Sequence, residues 1–318
     1  MSAASQPAMT FAQYNHLMRQ VLDLANQRDY AQASRLLEAG ALDTGAHGQQ
    51  DREATILSFL GSVYQRAGRY AESEEVLNRS INLWTRLKGP DAADLVGPLA
   101  NLGALYFDAG QFTHAEQLIS RALQLQLSDP HADSKMTAML LTNLGSVYFA
   151  EEKSDEAQAK AEEALQKFSA LPDPIDAKEG AARNYALLGA VSLQKHELEQ
   201  AEKFLKTALA IWESVATPDD PRRAEAVANV GILYSTAGSF EKAEAFFKEA
   251  DAVFQSAGGN DAYIRHFLAE YYAVEQKLGR RKEAKQLAKR LQQRSNSSAE
   301  SMISRNVVDV HSFQFAKK

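Results

Sequence analysis

Three asparagines recur at one position of a repeated segment, and their amides carry the chemistry that a peptide backbone requires. Asn101, Asn143 and Asn229 each stand two residues before a glycine. A side-chain amide offers a hydrogen-bond donor and an acceptor, and an extended peptide has the same two needs at every residue. The spacing therefore raises the hypothesis of an amide ladder that binds peptides with little regard to their sequence. The alternative, that these amides bond to a neighbouring helix, stays open.

Other candidate contacts surround the same glycines. Ser62 and Ser146 follow two of the glycines by one residue, and Phe107 and Phe149 follow two of them by four. Small side chains let a ligand approach closely, and the phenylalanines are candidates to anchor its apolar groups. The competing interpretation of the phenylalanines is an inter-repeat core, because aromatic residues at helical spacing usually fill interiors.

Catalytic and metal-binding chemistry finds little support in the sequence. We find no phosphate loop, paired-histidine metal helix, nucleophile elbow or dinucleotide fingerprint. The absence of cysteine excludes disulfides, thiolate nucleophiles and cysteine-ligated zinc. The histidines are scattered, and His196 occupies a turn position, where histidine tolerates a positive φ. We therefore expect no enzyme and no cofactor; a hydrolase hidden among the repeats is a minor alternative.

The glycines themselves reveal the organisation of the chain. Gly61, Gly103, Gly145, Gly189 and Gly231 sit in similar segments and are 42, 42, 44 and 42 residues apart. A fixed period of this size is typical of a solenoid built from one supersecondary unit.

Each period contains two helices. Twelve residues after each glycine comes a small residue: Ser73, Ala115, Ala157, Ala201 and Ala243. Four residues later the buried face continues with Leu77, Ile119, Ala161, Leu205 and Phe247. Between the helices, a turn that favours left-handed backbone falls on Gly68, Gly110, Glu152, His196 and Gly238. A helical glycine costs about 1 kcal/mol relative to alanine, so we expect the second helix to lie on that bare backbone.

Weaker copies at both ends bring the expected number of hairpins to about seven. Ala33 fills the small-residue slot of the first copy, and Gly279 and Ala284 mark the last. We accordingly expect a disordered segment at residues 1–9, an array at residues 10–295, and a partly extended tail at residues 296–318. In that tail Val308 and Val310 alternate with Asp309 and His311, which indicates a strand or a docking segment. Packing against its own last hairpin and insertion into a neighbouring molecule both remain open.

The segment that contains Leu99, Leu102, Gly103, Tyr106, Ala115 and Ile119 resembles the tetratricopeptide repeat. The long period is similar to the variant found in kinesin light chains. This resemblance implies an all-α, right-handed superhelical solenoid whose first helices line a concave groove that receives a peptide. The family's carboxylate clamp needs a lysine three residues before the glycine. Because Ser58, Ala100, Thr142, Ala186 and Ala228 stand there, recognition of a peptide carboxylate is disfavoured.

The net charge of the chain and the composition of its two end segments indicate which classes of partner and which cellular location to expect. A net charge of −6 argues against an electrostatic nucleic-acid binder. We interpret the basic last hairpin as a solvent-exposed cap of the repeat array. Docking of this hairpin to an acidic protein, a membrane surface or nucleic acid is the alternative. The sequence has no run of 18 apolar residues of the kind that predicts a transmembrane segment. Residues 1–9 lack a signal-peptide pattern. We expect a cytoplasmic chain, with export after loss of a signal as the alternative.

These observations together predict a non-enzymatic scaffold that binds a peptide segment or a partner protein in its groove. The alternative function is that of a structural or assembly-factor protein that self-associates into a homo-oligomer.

Overall fold

The computed structural model describes the backbone of residues 7–299 and the side chains of residues 7–260 and 263–294. Within this range lie fourteen α-helices, a single short 3-10 helix at Ala93–Leu95, and no strand. The α-helices are α1 Phe11–Asn26, α2 Tyr30–Ala46, α3 Gln50–Arg66, α4 Tyr70–Lys88, α5 Val96–Asp108, α6 Phe112–Ser128, α7 Ser134–Ala150, α8 Ser154–Ser169, α9 Pro174–Gln194, α10 Leu198–Val215, α11 Pro221–Thr236, α12 Phe240–Ala257, α13 Asp261–Lys277 and α14 Arg281–Ala299. They pair into seven hairpins, which confirms the predicted all-α class and repeat. The N-terminal segment falls mostly outside the described residues, as does the tail after Ala299.

The described chain forms two compact units. The first unit comprises residues 7–129 with α1–α6, and the second unit comprises residues 130–299 with α7–α14. In both units the first helix of each hairpin packs on its second helix. Neighbouring first helices also touch, α3 with α5 in the first unit and α7, α9, α11 and α13 in succession in the second. This arrangement places the first helices side by side within a unit.

The helical glycines let the two helices of a hairpin approach closely, as predicted. A Cβ atom added to Gly103 would lie 2.6 Å from Cγ1 of Ile119, and one added to Gly231 would lie 2.6 Å from the ring of Phe247. Such separations are too short for any Cβ atom, so the second helix rests on bare backbone at these positions. The helical cost of glycine is offset by this packing.

The turn between helices adopts left-handed backbone even where the sequence has no glycine. Glu152 and His196 both have φ of 60°, close to the values of Gly110 (75°) and Gly238 (73°). The predicted turn slot is therefore confirmed, and His196 fills a turn on the exposed surface.

Replacing Glu152 with glycine is expected to stabilise the protein by up to about 1 kcal/mol. A left-handed backbone costs a non-glycine residue about 1–2 kcal/mol, and the greater freedom of glycine in the unfolded chain cancels only part of the gain. Urea denaturation of the Glu152→Gly variant measures the effect. Glu162→Gly in the middle of α8 is the matched control and should lose about 1 kcal/mol; a loss of stability in both variants would contradict the argument.

The last two hairpins of the second unit enclose an aromatic core around a buried carboxylate. Phe247, Phe254, Phe267 and Tyr271 pack with ring centroids 5.1–5.9 Å apart. Glu275, one turn after Tyr271, is fully buried; Nε of Arg280 lies 4.0 Å from its Oε2, and neither carboxylate oxygen makes a hydrogen bond of standard geometry to a described residue.

The surroundings of Glu275 predict how stability depends on pH. Burial, followed by the nearby Glu244 carboxylate, raises the pKa of Glu275, although Arg280, Tyr271 and Lys248 act in the opposite direction. A carboxyl whose pKa is raised by folding keeps its proton more tightly in the folded state. Its contribution to stability is therefore greatest below its unfolded pKa, near 4.5, and is lost as the pH rises through the folded value.

The variant Glu275→Gln removes this titration and should flatten the stability profile above pH 4.5. We expect the variant to gain stability relative to the parent chain between pH 5 and pH 8. The free energies of unfolding of both proteins, measured by urea denaturation across that range, provide the comparison. A constant difference at every pH would show that Glu275 does not titrate as described.

Candidate functional site

The three asparagines of the predicted ladder lie on first helices, but the structure places them in different environments. Nδ2 of Asn101, on α5, donates to the backbone oxygen of Ser58 at 3.2 Å and lies 3.3 Å from its Oγ. The Tyr263 hydroxyl lies 2.8 Å from Oδ1 of Asn229, on α11, and 2.9 Å from the backbone oxygen of Glu225, and shares its one proton between these two acceptors. Asn143, on α7, has no hydrogen bond to any described side chain or backbone group and is half-buried.

This difference determines how much hydrogen-bonding capacity each amide retains. The Asn101 amide nitrogen already donates to Ser58, and one of the two lone pairs of the Asn229 oxygen faces the Tyr263 hydroxyl. Burial, first, and the neighbouring Glu225 raise the pKa of Tyr263 well above 10, so its hydroxyl remains a proton donor to Asn229 at neutral pH. Of the three amides, that of Asn143 makes no hydrogen bond to the described residues and so keeps its full donor and acceptor capacity for another molecule.

The hydroxyls of Ser62 and Ser146 keep only part of their hydrogen-bonding capacity. The Ser62 hydroxyl donates to the backbone oxygen of Phe59 at 2.8 Å, and that of Ser146 donates to the backbone oxygen of Thr142 at 3.0 Å. Both hydroxyls can still accept a hydrogen bond. Ser146 lies one helical turn from Asn143 on α7, so these two groups are neighbours on one helix.

The two phenylalanines are half-buried within their own units. The ring of Phe107 lies 5.7 Å from that of Phe112 at the start of α6. Phe149 packs against the buried cluster that includes Ala157, Ala161 and Leu188. These contacts favour a packing role over a free ligand anchor for both rings.

Polar side chains that the sequence argument did not single out join successive first helices. In the first unit Nε2 of Gln65 donates to Oδ2 of Asp108 at 2.8 Å. In the second unit the fully buried Asn184 donates to Oγ1 of Thr142 at 2.9 Å, and Gln194 donates to the backbone oxygen of Phe149 at 3.2 Å. Asn184 stands five residues before Gly189 rather than two, which is why the repeat register did not identify it.

A cleft on the first unit was also missed. A wide-open cleft of about 470 Å³ is lined by Asn15, Met18, Arg19 and Leu22 of α1 and by Phe59 of α3. The repeat register extends to α1, because Ala33 in the small-residue slot puts Val21 in the glycine slot. Met18 and Leu22 then occupy the positions three before and one after that slot, where the other repeats carry mostly small residues. The sequence thus contained the signal.

The last hairpin uses two of its basic residues internally. Arg280 forms an ion pair with the buried Glu244. Arg290 donates two hydrogen bonds, of 2.6 and 2.8 Å, to the carboxylate of Asp251. Four other basic residues of α14 are exposed: Arg281, Lys282, Lys285 and Lys289. Leu287 on the opposite face of α14 is buried in the core of the second unit.

No helix among residues 7–299 combines the length and apolar character that crossing a membrane requires. Nor do the described histidines, aspartates and glutamates form a group of three that could hold a metal ion.

Solved structures share this architecture at low sequence identity. BtubC (BKLC) from P. vanneervenii matches with 20% identity and a TM-score of 0.53, over 74% of this chain and 94% of that one. A Rap protein complexed with competence and sporulation factor matches with 13% identity and a TM-score of 0.57, over 92% and 100% of the two chains. A tetratricopeptide repeat protein from Parabacteroides merdae matches with 15% identity and a TM-score of 0.55, over 91% and 96%. These similarities show the fold.

The sequence gives a direct family match, although no curated protein matches the chain. The tetratricopeptide repeat model matches residues 52–128, 94–170 and 180–256, and the starts of the first two matches are 42 residues apart. This spacing agrees with the long period seen in the glycines. Because the matched residues cover more than half of the sequence, this chain belongs to the tetratricopeptide repeat family.

Proposed function

We propose that this chain is a non-enzymatic scaffold whose first helices in the second unit bind an extended segment of a partner protein. The observation that carries the proposal is the uncommitted amide of Asn143 on α7. An amide with both a donor and an acceptor available can pair with both groups of a peptide unit.

The side chains around Asn143 suit the approach of a peptide backbone. On α7, Met139 is 36% exposed four residues before Asn143, and Ser146 follows three residues after it. On the adjacent α9, Ala186 and Ala190 are small and only half-buried. The surface offers close access to a backbone, one apolar contact at Met139, and few side chains that would discriminate among sequences.

A related fold is known with a bound partner. The Rap protein of similar architecture has been determined in complex with competence and sporulation factor. This supports a binding role for the helical framework, and the choice of contact residues in the present chain rests on Asn143.

Affinity capture followed by calorimetry tests the proposal. The intact chain and its Asn143→Ala variant serve as baits in a native lysate, and peptides that tile a captured partner are then titrated by isothermal calorimetry. Loss of about two hydrogen bonds, each contributing about 0.5–1.5 kcal/mol, should weaken binding of the best peptide by roughly 5- to 150-fold.

The control is Asn82→Ala, which removes an exposed asparagine from the second helix α4. It should bind the peptide as tightly as the parent chain. Equal affinity of the parent chain and the Asn143→Ala variant would contradict the proposed contact.

A further inference from the structure

The cleft between α1 and α3 in the first unit exposes large apolar side chains. Leu22 is 60% exposed and Phe59 is 46% exposed, and both line the cleft together with Met18. Its volume of about 470 Å³ lies within the range of about 300–1,000 Å³ that ligand sites occupy.

The two polar side chains that line the cleft, Asn15 and Arg19, have hydrogen-bonding groups without a partner among the described residues. Nε of Arg19 donates to the backbone oxygen of Asn15 on its own helix at 3.2 Å, and no carboxylate among the described residues pairs with its guanidinium. The Asn15 side-chain amide likewise has no partner there. The cleft therefore combines an apolar floor with one unpaired cation and one free amide. An extended segment with apolar side chains and a single carboxylate complements these groups.

The chain itself contains such a segment, outside the described residues. In the stretch 307–315, Val308 and Val310 flank Asp309. In an extended conformation alternate residues share one face, so the two valines would point one way and Asp309 the other. We propose that this segment docks in the cleft in an extended conformation, with Val308 and Val310 against Met18, Leu22 and Phe59. Asp309, on the outer side of the segment, then pairs with the long and exposed side chain of Arg19 at the rim of the cleft.

This inference is independent of the proposed function. Docking of the segment uses α1 and α3 of the first unit, whereas the peptide contact proposed above uses Asn143 of the second. A segment that comes from the same molecule would shield the cleft, and one that comes from a second copy would link two molecules.

Photo-cross-linking in the full-length chain tests the docking. We place p-benzoylphenylalanine at position 312, which shares a face with positions 308 and 310 in an extended segment, and locate the products by mass spectrometry. The expected products join position 312 to α1 or α3, close to Met18 and Phe59. Mixing isotopically heavy and light chains tells whether the segment comes from the same copy or from another.

Two sets of variants show whether the predicted contacts are responsible. Leu22→Ser should lower the cross-link yield at least fivefold, whereas Leu42→Ser, which alters a 74% exposed leucine on α2, should leave it unchanged. Arg19→Glu should lower the yield, and adding Asp309→Arg to that variant should restore it. Asn143→Ala should have no effect.

Cross-links confined to α13 and α14 would overturn the proposal, because the segment would then pack on its own last hairpin. A yield that is insensitive to the charge exchange would also overturn it. A cleft that instead takes an external peptide or the folded face of a second copy would give no cross-link from position 312 to α1 or α3.

Discussion

Replacing Phe247 with alanine is expected to lower the free energy of unfolding of the second unit by about 3–5 kcal/mol. The side chain is fully buried, and its ring centroid lies 5.6 Å from that of Phe267 and 5.4 Å from that of Tyr271. It also covers the bare backbone of Gly231. Its removal loses apolar burial and leaves a cavity that the surrounding helices can only partly close.

Urea denaturation followed by tryptophan fluorescence measures this change. Trp84 lies in the first unit and Trp212 in the second, so a Trp84→Phe background lets fluorescence report the second unit alone. Ile175→Ala serves as control in the same unit, because Ile175 is 58% exposed and a surface change of this kind usually alters stability by less than about 0.5 kcal/mol. A loss below 1 kcal/mol for Phe247→Ala would contradict the described packing.

The second large effect is expected at Gly231, on the other side of the same contact. An alanine Cβ there would lie 2.6 Å from Cδ1 and Cε1 of Phe247. Overpacking of a core lowers the free energy of unfolding by about 1–3 kcal/mol. The higher helix propensity of alanine offsets about 1 kcal/mol of this destabilisation. We expect Gly231→Ala to destabilise the second unit by a net amount of up to about 2 kcal/mol, measured by the same fluorescence assay.

Gly145 provides the matched control within the same unit. A Cβ atom there would first meet the terminal Cδ2 of Leu187 at 3.0 Å, because the facing position on α8 is the small Ala161 rather than a large side chain. The flexible end of a leucine can move, so Gly145→Ala should change stability by less than Gly231→Ala. Equal costs at the two glycines would show that packing against the second helix does not explain the glycine register.

The sequence was sufficient to predict the features that depend on local geometry and repeat spacing. The glycine register located both helices of each hairpin, since Gly103 and Gly231 must face the second helix whatever the rest of the chain does. The turn slot was also predictable, because seven residues after the glycine the chain has to reverse. The left-handed backbone of Glu152 and His196 shows that the turn imposes this conformation even on residues other than glycine.

The committed state of the asparagines was not predictable from spacing. Asn101 bonds to Ser58, 43 residues earlier, and Asn229 bonds to Tyr263, 34 residues later. Whether a partner stands opposite depends on the neighbouring repeat, and the repeats differ at these positions. The same three-dimensional dependence hid Asn184, which stands one helical turn away from the expected slot and bonds to Thr142.

The apolar cleft of the first unit was missed for a different reason. The first hairpin lacks the glycine that marks the other repeats, so its register was set only by Ala33, and the residues of α1 were not assigned to a face. Once Val21 takes the glycine slot, Met18 and Leu22 fall at the positions that Thr142 and Ser146 occupy in their own repeat. The position of the glycine slot in a weak terminal repeat should therefore be fixed before the inner face of the array is described as lined by small residues.

The most direct test of the central claim asks whether Asn143 recognises the backbone of a bound segment. A peptide from a captured partner is synthesised with one backbone nitrogen methylated at each position in turn, and every version is titrated by calorimetry into the parent chain and into Asn143→Ala. If Asn143 pairs with a peptide unit, methylation at one position should cost about 1 kcal/mol with the parent chain and almost nothing with the variant. Equal methylation costs in both proteins at every position would contradict backbone recognition by Asn143.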